Sequence, residues 1–316
     1  MSKPTLFSRV ALIARKTANQ NSETFSATIN LLEEAHVPFV LEEKTAQALG
    51  MHTCPIAPAS KLHEHADIIC VVGGDGSLLH AAKIALSQNL PIIGINKGRI
   101  GFLADIQPQN LDALLQVLQG EYMREERFLL NVKVVDHAKV LYESHALNDM
   151  VLHKNIAVKM IEFDTSINGK PLCNQRADGL VVSTPTGSTA YALSGGGPII
   201  HPSQNAMVIV PMLPHKLSSR PIVLDAQSHL DIHVSPHNLV APALSCDGQE
   251  SHTVPLDAHI IITEEKRKIQ LIHPSHYDYF ETLRQKLGWE NKPKELHLED
   301  NIPPNLDQKS GHGYPQ

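Results

Sequence analysis

"DIICVVGGDGSLLHAAKIALSQ", residues 67–88, decides the fold. "DIICVV" is a continuous apolar run, the pattern of a parallel strand covered on both faces. The glycines after it make a tight turn, and "LLHAAKIAL" reads as a helix. Strand, glycine-rich turn and helix in this order usually cradle phosphates, because helix-start N–H groups and the helix dipole favour anions. Yet Asp75, itself an anion, stands in the middle of those glycines.

The segments on either side repeat the alternation. "RVALIA" (9–14), "PFVLEE" (38–43) and "PIIGIN" (91–96) read as strands. "SETFSATINLLEEAHV" (22–37) carries Phe25, Ile29, Leu31 and Leu32 at near-helical spacing, with Ser22 as cap. "NLDALLQVLQG" (110–120) has Asn110 as cap and Gly120 as stop. Strands alternating with helices predict a parallel sheet with right-handed crossovers over residues 1–126.

From residue 127 the rhythm changes. "FLLNVKVV", "VLYESHAL", "VKMIEFDTSI", "GLVVS", "MVIVP", "HLDIHV", "HIIIT" and "KIQLIH" are strands, several with period-two alternation. Asn168-Gly169 marks a hairpin, because both residues tolerate positive φ. Residues 127–274 therefore read as mostly antiparallel β. A closing helix in 275–290 puts Phe280, Leu283 and Leu287 on one stripe and stops at Gly288, and 291–316, rich in Pro, Asn, Lys and Glu, reads as a mobile tail.

Composition narrows the function. The 316 residues suffice for two cores, and a net charge of −6 with 4% aromatics argues against charge-driven nucleic-acid binding and base-stacking platforms. Cys54, Cys70, Cys173 and Cys246 are widely spaced and suggest no disulfide framework, which predicts a reducing cytoplasm. Cys70 reads as a small buried hydrophobe. No run approaches the ~18 apolar residues of a membrane span. Of the 19 histidines, His63 and His65 in "HEH" would share one face of a strand, a weak metal hint; no dedicated transition-metal site is predicted.

The loop around Asp75 fits neither familiar phosphate template. Read from Gly74, the dinucleotide fingerprint lacks its third glycine, and no Gly-Lys-Ser/Thr is present for a P-loop. An isolated "GGDG" can equally be a turn in which Asp75 only caps the helix. Charge decides against a passive phosphate cradle: a carboxylate ~4 Å from one phosphate charge is opposed by ~4 kcal/mol at an effective dielectric of 20. It is tolerated where a divalent ion bridges the groups, or where the acid accepts a proton from an attacking hydroxyl. Asp75 thus points to a phosphotransferase.

Two further stretches carry chemistry. In "RADGLVVSTPTGSTAYALSGGGP" (176–198), Gly187, Ser188 and Thr189 can offer N–H and hydroxyl groups to phosphate or ribose, and Gly195-Gly196-Gly197 allows close backbone approach. No G-x-S-x-G is present, so Ser188 is not read as a hydrolase nucleophile. In "ALNDMVLHK" (146–154), Asn148 can read an adenine edge and Asp149 can hold ribose hydroxyls, although a lone "ND" would be an ordinary turn.

These stretches in this order, with "GINKGRIGFLAD" (94–105) and "SCDGQ" (245–249), resemble the NAD kinase family over roughly residues 8–290. "GGDG" alone is shared with lipid kinases and phosphofructokinases; "TPTGSTAY" with the Asn-acid pair is more specific. The resemblance implies a Rossmann-like α/β N-terminal domain with a parallel sheet (1–126), related to diacylglycerol kinase and phosphofructokinase folds. It implies an antiparallel β domain (127–274) that binds NAD and forms a homodimer or homotetramer. The implied reaction moves the γ-phosphoryl group of ATP, carried with Mg²⁺, to the 2′-hydroxyl of the adenosine ribose of NAD, giving NADP.

On the same resemblance Asp75 accepts the 2′-hydroxyl proton, flanked by Gly74 and Gly76. Asn148 and Asp149 hold NAD through base and ribose, and Phe102 packs on the nucleoside. Lys159, Arg176, Asp178, Thr189, Ala190, Tyr191, Ala192, Leu193 and Ser194 line the dinucleotide site, and Gln249 approaches from the β domain. A basic residue at 176 implies preference for NAD over NADH. A lipid kinase would predict an apolar acyl groove and membrane association, against which the negative charge and the absence of an amphipathic anchor in the sequence speak, and a nucleotide sensor without turnover would have lost Asp75.

Overall fold

The first sheet runs Ile56–Ala57, Phe39–Glu42, Val10–Ala14, Ile68–Val72, Ile92–Ile95, Ile269–Pro274, Tyr122–Arg127. Its first six strands are parallel, and only the Ile269–Pro274 to Tyr122–Arg127 pairing is antiparallel. This computed structural model describes residues 7–15, 22–98, 101–155, 159–249 and 251–289; the predicted tail at 291–316 lies outside them.

Val10–Ala14, Ile68–Val72 and Ile92–Ile95 are buried along their whole length, as their apolar runs require. Two cores cover the two faces. One packs Leu78, Ala81, Ala82 and Ala85 of helix Asp75–Gln88 on Ala11, Ile69 and Val71; the other packs Phe25, Ile29 and Leu32 on Val10, Leu12 and Cys70. Cys70 is the small buried hydrophobe expected, and burial pushes its thiol up to about 12.

The rest of the unit is two six-stranded antiparallel sheets. One contains Lys170–Ala177, Ile161–Ile167, Leu230–Val234, His259–Glu264, Leu130–Asp136 and Lys139–Ala146; the other Ile222–Asp225, Ala206–Met212, Gly179–Ser183, Asp149–His153, Ala243–Cys246 and Ser251–Thr253. Val132, Phe163 and Ile260 of the first share a core with Leu152, Leu180 and Leu244 of the second, as sandwich sheets do. Asn168 and Gly169 turn the Ile161–Ile167 hairpin with φ 51° and 75°, as the dipeptide predicts.

Four sequence expectations are corrected. His63 and His65 lie on a short helix, Leu62–His65, not on a strand. Asn110 belongs to a 3₁₀ turn, Pro108–Asn110, and helix Asp112–Leu118 starts without a side-chain cap. "KIQLIH" reads like its antiparallel neighbours, but strand Ile269–Pro274 closes the first sheet. The helix expected in 275–290 forms at Tyr279–Leu287, in the second of the chain's two units, which begins at Asp278. That helix is capped by Asp278 and ends at Gly288 in the left-handed conformation, but Phe280 is 56% exposed and its buried positions are Tyr279, Thr282 and Leu283.

Candidate active site

Asp75 is the first residue of helix Asp75–Gln88, and the cap position is Gly74. Its carboxylate does not cap the helix. Oδ2 accepts the Phe102 N–H and Oδ1 the Leu103 N–H, each at 3.0 Å. A Cβ on Gly101 would overlap Asp75 Oδ1, so the 101–103 loop comes this close only because residue 101 is glycine. Each carboxylate oxygen keeps lone-pair capacity beyond these bonds. Gly74 and Gly76 leave open space where side chains would stand, and Phe102 is half-buried beside them. Lys97, to which the sequence reading assigned no role, crosses the same turn; its Cε lies 3.7 Å from a Cβ built on Gly73.

The second group assembles around residues 147–149. Leu147 is buried in the same core as Leu78 of the Asp75 helix and Leu103 of the loop holding Asp75. Leu147, Asn148 and Asp149 donate their N–H groups to the Asp247 carboxylate at 3.0, 2.7 and 3.3 Å. The Asn148 carbonyl accepts from the Thr184 N–H and the Ser183 hydroxyl, and the Thr184 hydroxyl donates to the Leu147 carbonyl at 2.5 Å. A Cβ at Gly187 would strike the Asn148 carbonyl, so "TPTG" sits flat against "LND".

Burial and the charge of Asp247 raise Asp149 to about 7. Asp247 is also raised by burial, against the lowering effect of its three N–H donors. Burial thus pushes both acids up, and their charges oppose each other's ionisation. Asn148 Oδ1 and Gln249 Nε2 are buried and take no hydrogen bond from or to another described residue, an acceptor and a donor that a ligand can satisfy. Asp247 was missed as a site residue although "SCDGQ" contains it, because its role shows only when the chain folds back across about a hundred residues.

"TGSTAYALS" forms a 3₁₀ turn, Thr186–Thr189, and a short helix, Tyr191–Ser194. Thr189, Ala190 and Leu193 are half-buried, and Tyr191 and Ser194 are exposed. Ser188 and Ala192 are fully buried. The Ser188 hydroxyl donates to the Pro185 carbonyl and accepts the Ile200 N–H, which leaves its side chain structural. The Ala192 methyl packs among Val151, Val181 and Val208, so only its backbone can face a ligand. Gly195 and Gly197 allow close approach of the chain to its own Val210, which explains them without a ligand.

Lys159 and Arg176 come together in a cleft of about 690 Å³, with Lys154, Glu162 and His237. Asp178, expected on the dinucleotide site, pairs with Lys154 at 2.7 Å. Among the described residues no group of three or more His, Cys, Asp or Glu could hold a metal ion. No helix among them is long and apolar enough to cross a membrane.

A parallel sheet that presents a carboxylate at the start of a helix, against an antiparallel sandwich with unsatisfied polar groups, defines a nucleotide-dependent phosphotransferase. The ATP-NAD kinase N-terminal domain matches residues 10–122 and the ATP-NAD kinase C-terminal domain residues 147–274. The chain belongs to the NAD kinase family. An NAD kinase of Coxiella burnetii is 48% identical over 292 residues, 92% of this chain and 97% of that protein. The fold is that of a yeast NADH kinase solved with NADH (TM-score 0.80, 23% identity, 90% of this chain and 88% of the other). It is also that of an Archaeoglobus fulgidus NAD kinase solved with ATP (TM-score 0.66, 23% identity, 88% and 99%).

Proposed function

We propose that Asp75 is the proton acceptor in the NAD kinase reaction of this chain. The 2′-hydroxyl oxygen of the adenosine ribose attacks the γ-phosphorus of ATP, the bond from that phosphorus to the bridging oxygen breaks, and ADP leaves. The hydroxyl proton passes to Asp75. In phosphoryl transfer the protein contributes mainly position and charge. The carrying observation is the double clamp of Phe102 and Leu103 N–H groups on the Asp75 carboxylate, which fixes its direction and leaves acceptor capacity for a hydroxyl.

Around that group, Asn148 Oδ1 and Gln249 Nε2 would take the polar edges of NAD, and Asp149 its ribose. Gly74, Gly76 and the N–H groups of Asp75 and Gly76 would face phosphate, since those of Ser77 and Leu78 go to the Gly74 carbonyl. Thr189, Tyr191 and Ser194, with the backbone of Ala190, Ala192 and Leu193, would line the dinucleotide. Lys159, Arg176 and Asp178 lie on or beside a positively charged cleft that suits a dinucleotide's phosphates. Mg²⁺, riding on ATP, would neutralise triphosphate charge beside Asp75.

Residues 1–126 would supply the Asp75 turn and Phe102, and 127–274 the remaining contacts. We further infer a cytoplasmic homodimer or homotetramer. Strand Ile222–Asp225 is a sheet edge with Val223 half exposed, an open hydrogen-bonding row that a second copy can cover.

Incubation with NAD, ATP and Mg²⁺ should form NADP and ADP in equal amounts, and no NADP above a protein-free blank would sink the reading. The same assay with NADH in place of NAD measures the preference assigned to Arg176.

A further inference from the structure

We propose that His273 is a positioning residue for phosphoryl transfer, one that ties the loop gripping Asp75 to the "TPTGST" turn through a buried chain of charged side chains; this rests on the reading of Asp75 above. His273 lies on strand Ile269–Pro274 and has no solvent exposure. Its Nδ1 is hydrogen-bonded to Asp105 Oδ2, and its Nε2 lies 3.4 Å from Glu125 Oε2. The ring stacks on Tyr277 with centroids 3.9 Å apart and planes 12° from parallel.

The chain continues at both ends. Asp105 closes the loop whose Phe102 and Leu103 N–H groups hold Asp75, and that loop is pinned by Asn96 N–H to the Ile106 carbonyl at 2.7 Å. Glu125 is gripped by Arg127 Nε at 3.1 Å and also by its Nη2. Arg127, only 4% exposed, donates from Nη1 to Thr186 Oγ1 at 3.1 Å. Thr186 opens the 3₁₀ turn that leads to Thr189 and Tyr191. The sequence Asp75, 102–103 loop, Asp105, His273, Glu125, Arg127, Thr186 therefore crosses from one half of the site to the other.

Charge balance assigns the state of the histidine. With both carboxylates ionised, two carboxylates and one guanidinium leave an excess of one negative charge, which an imidazolium cancels; burial raises Asp105, so the proton of the Asp105–His273 pair is held between the two. Burial alone would lower His273, but the hydrogen bond to Asp105 and the charges of Asp105 and Glu125 raise it above its ordinary value. Glu125, between His273 and Arg127, is held down at about 2 despite its burial. The groups facing the ring are Asp105 from the loop, Glu125 and Arg127 from strand Tyr122–Arg127, and Tyr277, with Asp75 behind Asp105. Well-packed apolar residues often match a buried ion network in stability, so its use here lies in fixing one geometry.

None of these four charged groups is assigned a contact with substrate, so they act through Asp75 and Thr186. Loss of positioning by about 1 Å costs on the order of a hundredfold in rate.

The test compares the full-length wild type with His273→Gln, Thr186→Val, Arg127→Met and the Thr186→Val/Arg127→Met double variant. kcat and KM for NAD and for ATP are measured from pH 6 to 9. His273→Gln should lower kcat by about ten- to a hundredfold with KM for ATP within about threefold. It should also remove the fall in wild-type kcat as pH rises through the folded-state value of His273. The double variant should be no slower than its slower single parent, because both changes cut one connection. A cooperatively melting His273→Gln with kcat within twofold of wild type and an unchanged alkaline limb overturns the proposal. If His273→Gln does not fold, the cycle decides, and multiplicative losses overturn it. Failure of the Asp75 reading shows separately, as wild type that makes no NADP or as full activity in Asp75→Asn.

Discussion

Asp75 resolves the oddity of an acid among glycines by where its oxygens go. Both are committed to N–H groups of the 101–103 loop, so the side chain is aimed rather than mobile. Asp75→Asn keeps the size but removes the proton acceptor. It should lower kcat by about 10²–10⁴-fold, the usual contribution of a positioned base, while the dissociation constant for NAD, measured calorimetrically, changes little. Near-wild-type turnover would show that the base is another group. Asp149 makes a second prediction at this scale. Its folded-state value of about 7 lies above that of an unfolded aspartate, so the unliganded protein loses stability as pH rises between the two. Asp149→Asn removes the buried charge and should raise the melting temperature at pH 8 more than at pH 5, while weakening NAD binding. An equal shift at both pH values would exclude this origin.

At the scale of elements, two turns joined edge to edge make the site. "TPTG" lies on "LND" because Gly187 has no side chain and because Ser183 and Thr184 spend their hydroxyls on the carbonyls of 147 and 148. Gly187→Ala forces these turns apart. We expect a loss of roughly 1–3 kcal/mol in a denaturant titration, as for overpacking, and a larger proportional loss of activity; a variant as stable and active as wild type would contradict the close packing. These turns, like strand Ile68–Val72 with its helix and the Asn168-Gly169 hairpin, were legible in sequence because each is decided by neighbours within a few positions. What was not legible depends on distant partners. His273 meets Asp105 across 168 residues, and Asp247 meets Leu147 across 100. No local pattern encodes either pairing. "HEH" failed for the opposite reason: three polar residues carry no period, and the buried Leu62 before them fits a helical turn as well as a strand.

For the whole molecule, the exposed edge at Ile222–Asp225 bears on assembly. Val223→Lys should shift sedimentation toward the monomer with the fold intact by circular dichroism, and an unchanged sedimentation coefficient would move the proposed contact elsewhere. The order of strands has a different consequence. Ile269–Pro274 fills the place between Ile92–Ile95 and Tyr122–Arg127, so the first sheet waits on a segment made about 150 residues after its neighbours. During synthesis the amino-terminal half leaves the ribosome with a gap in its sheet and with Asp105, Glu125 and Arg127 lacking their histidine. Folding is thereby non-local and late, and the Asp75 turn gains its full support only when the chain is nearly finished. A nascent or truncated chain ending before residue 269 would hold the Asp75 turn yet lack the strand that completes its sheet.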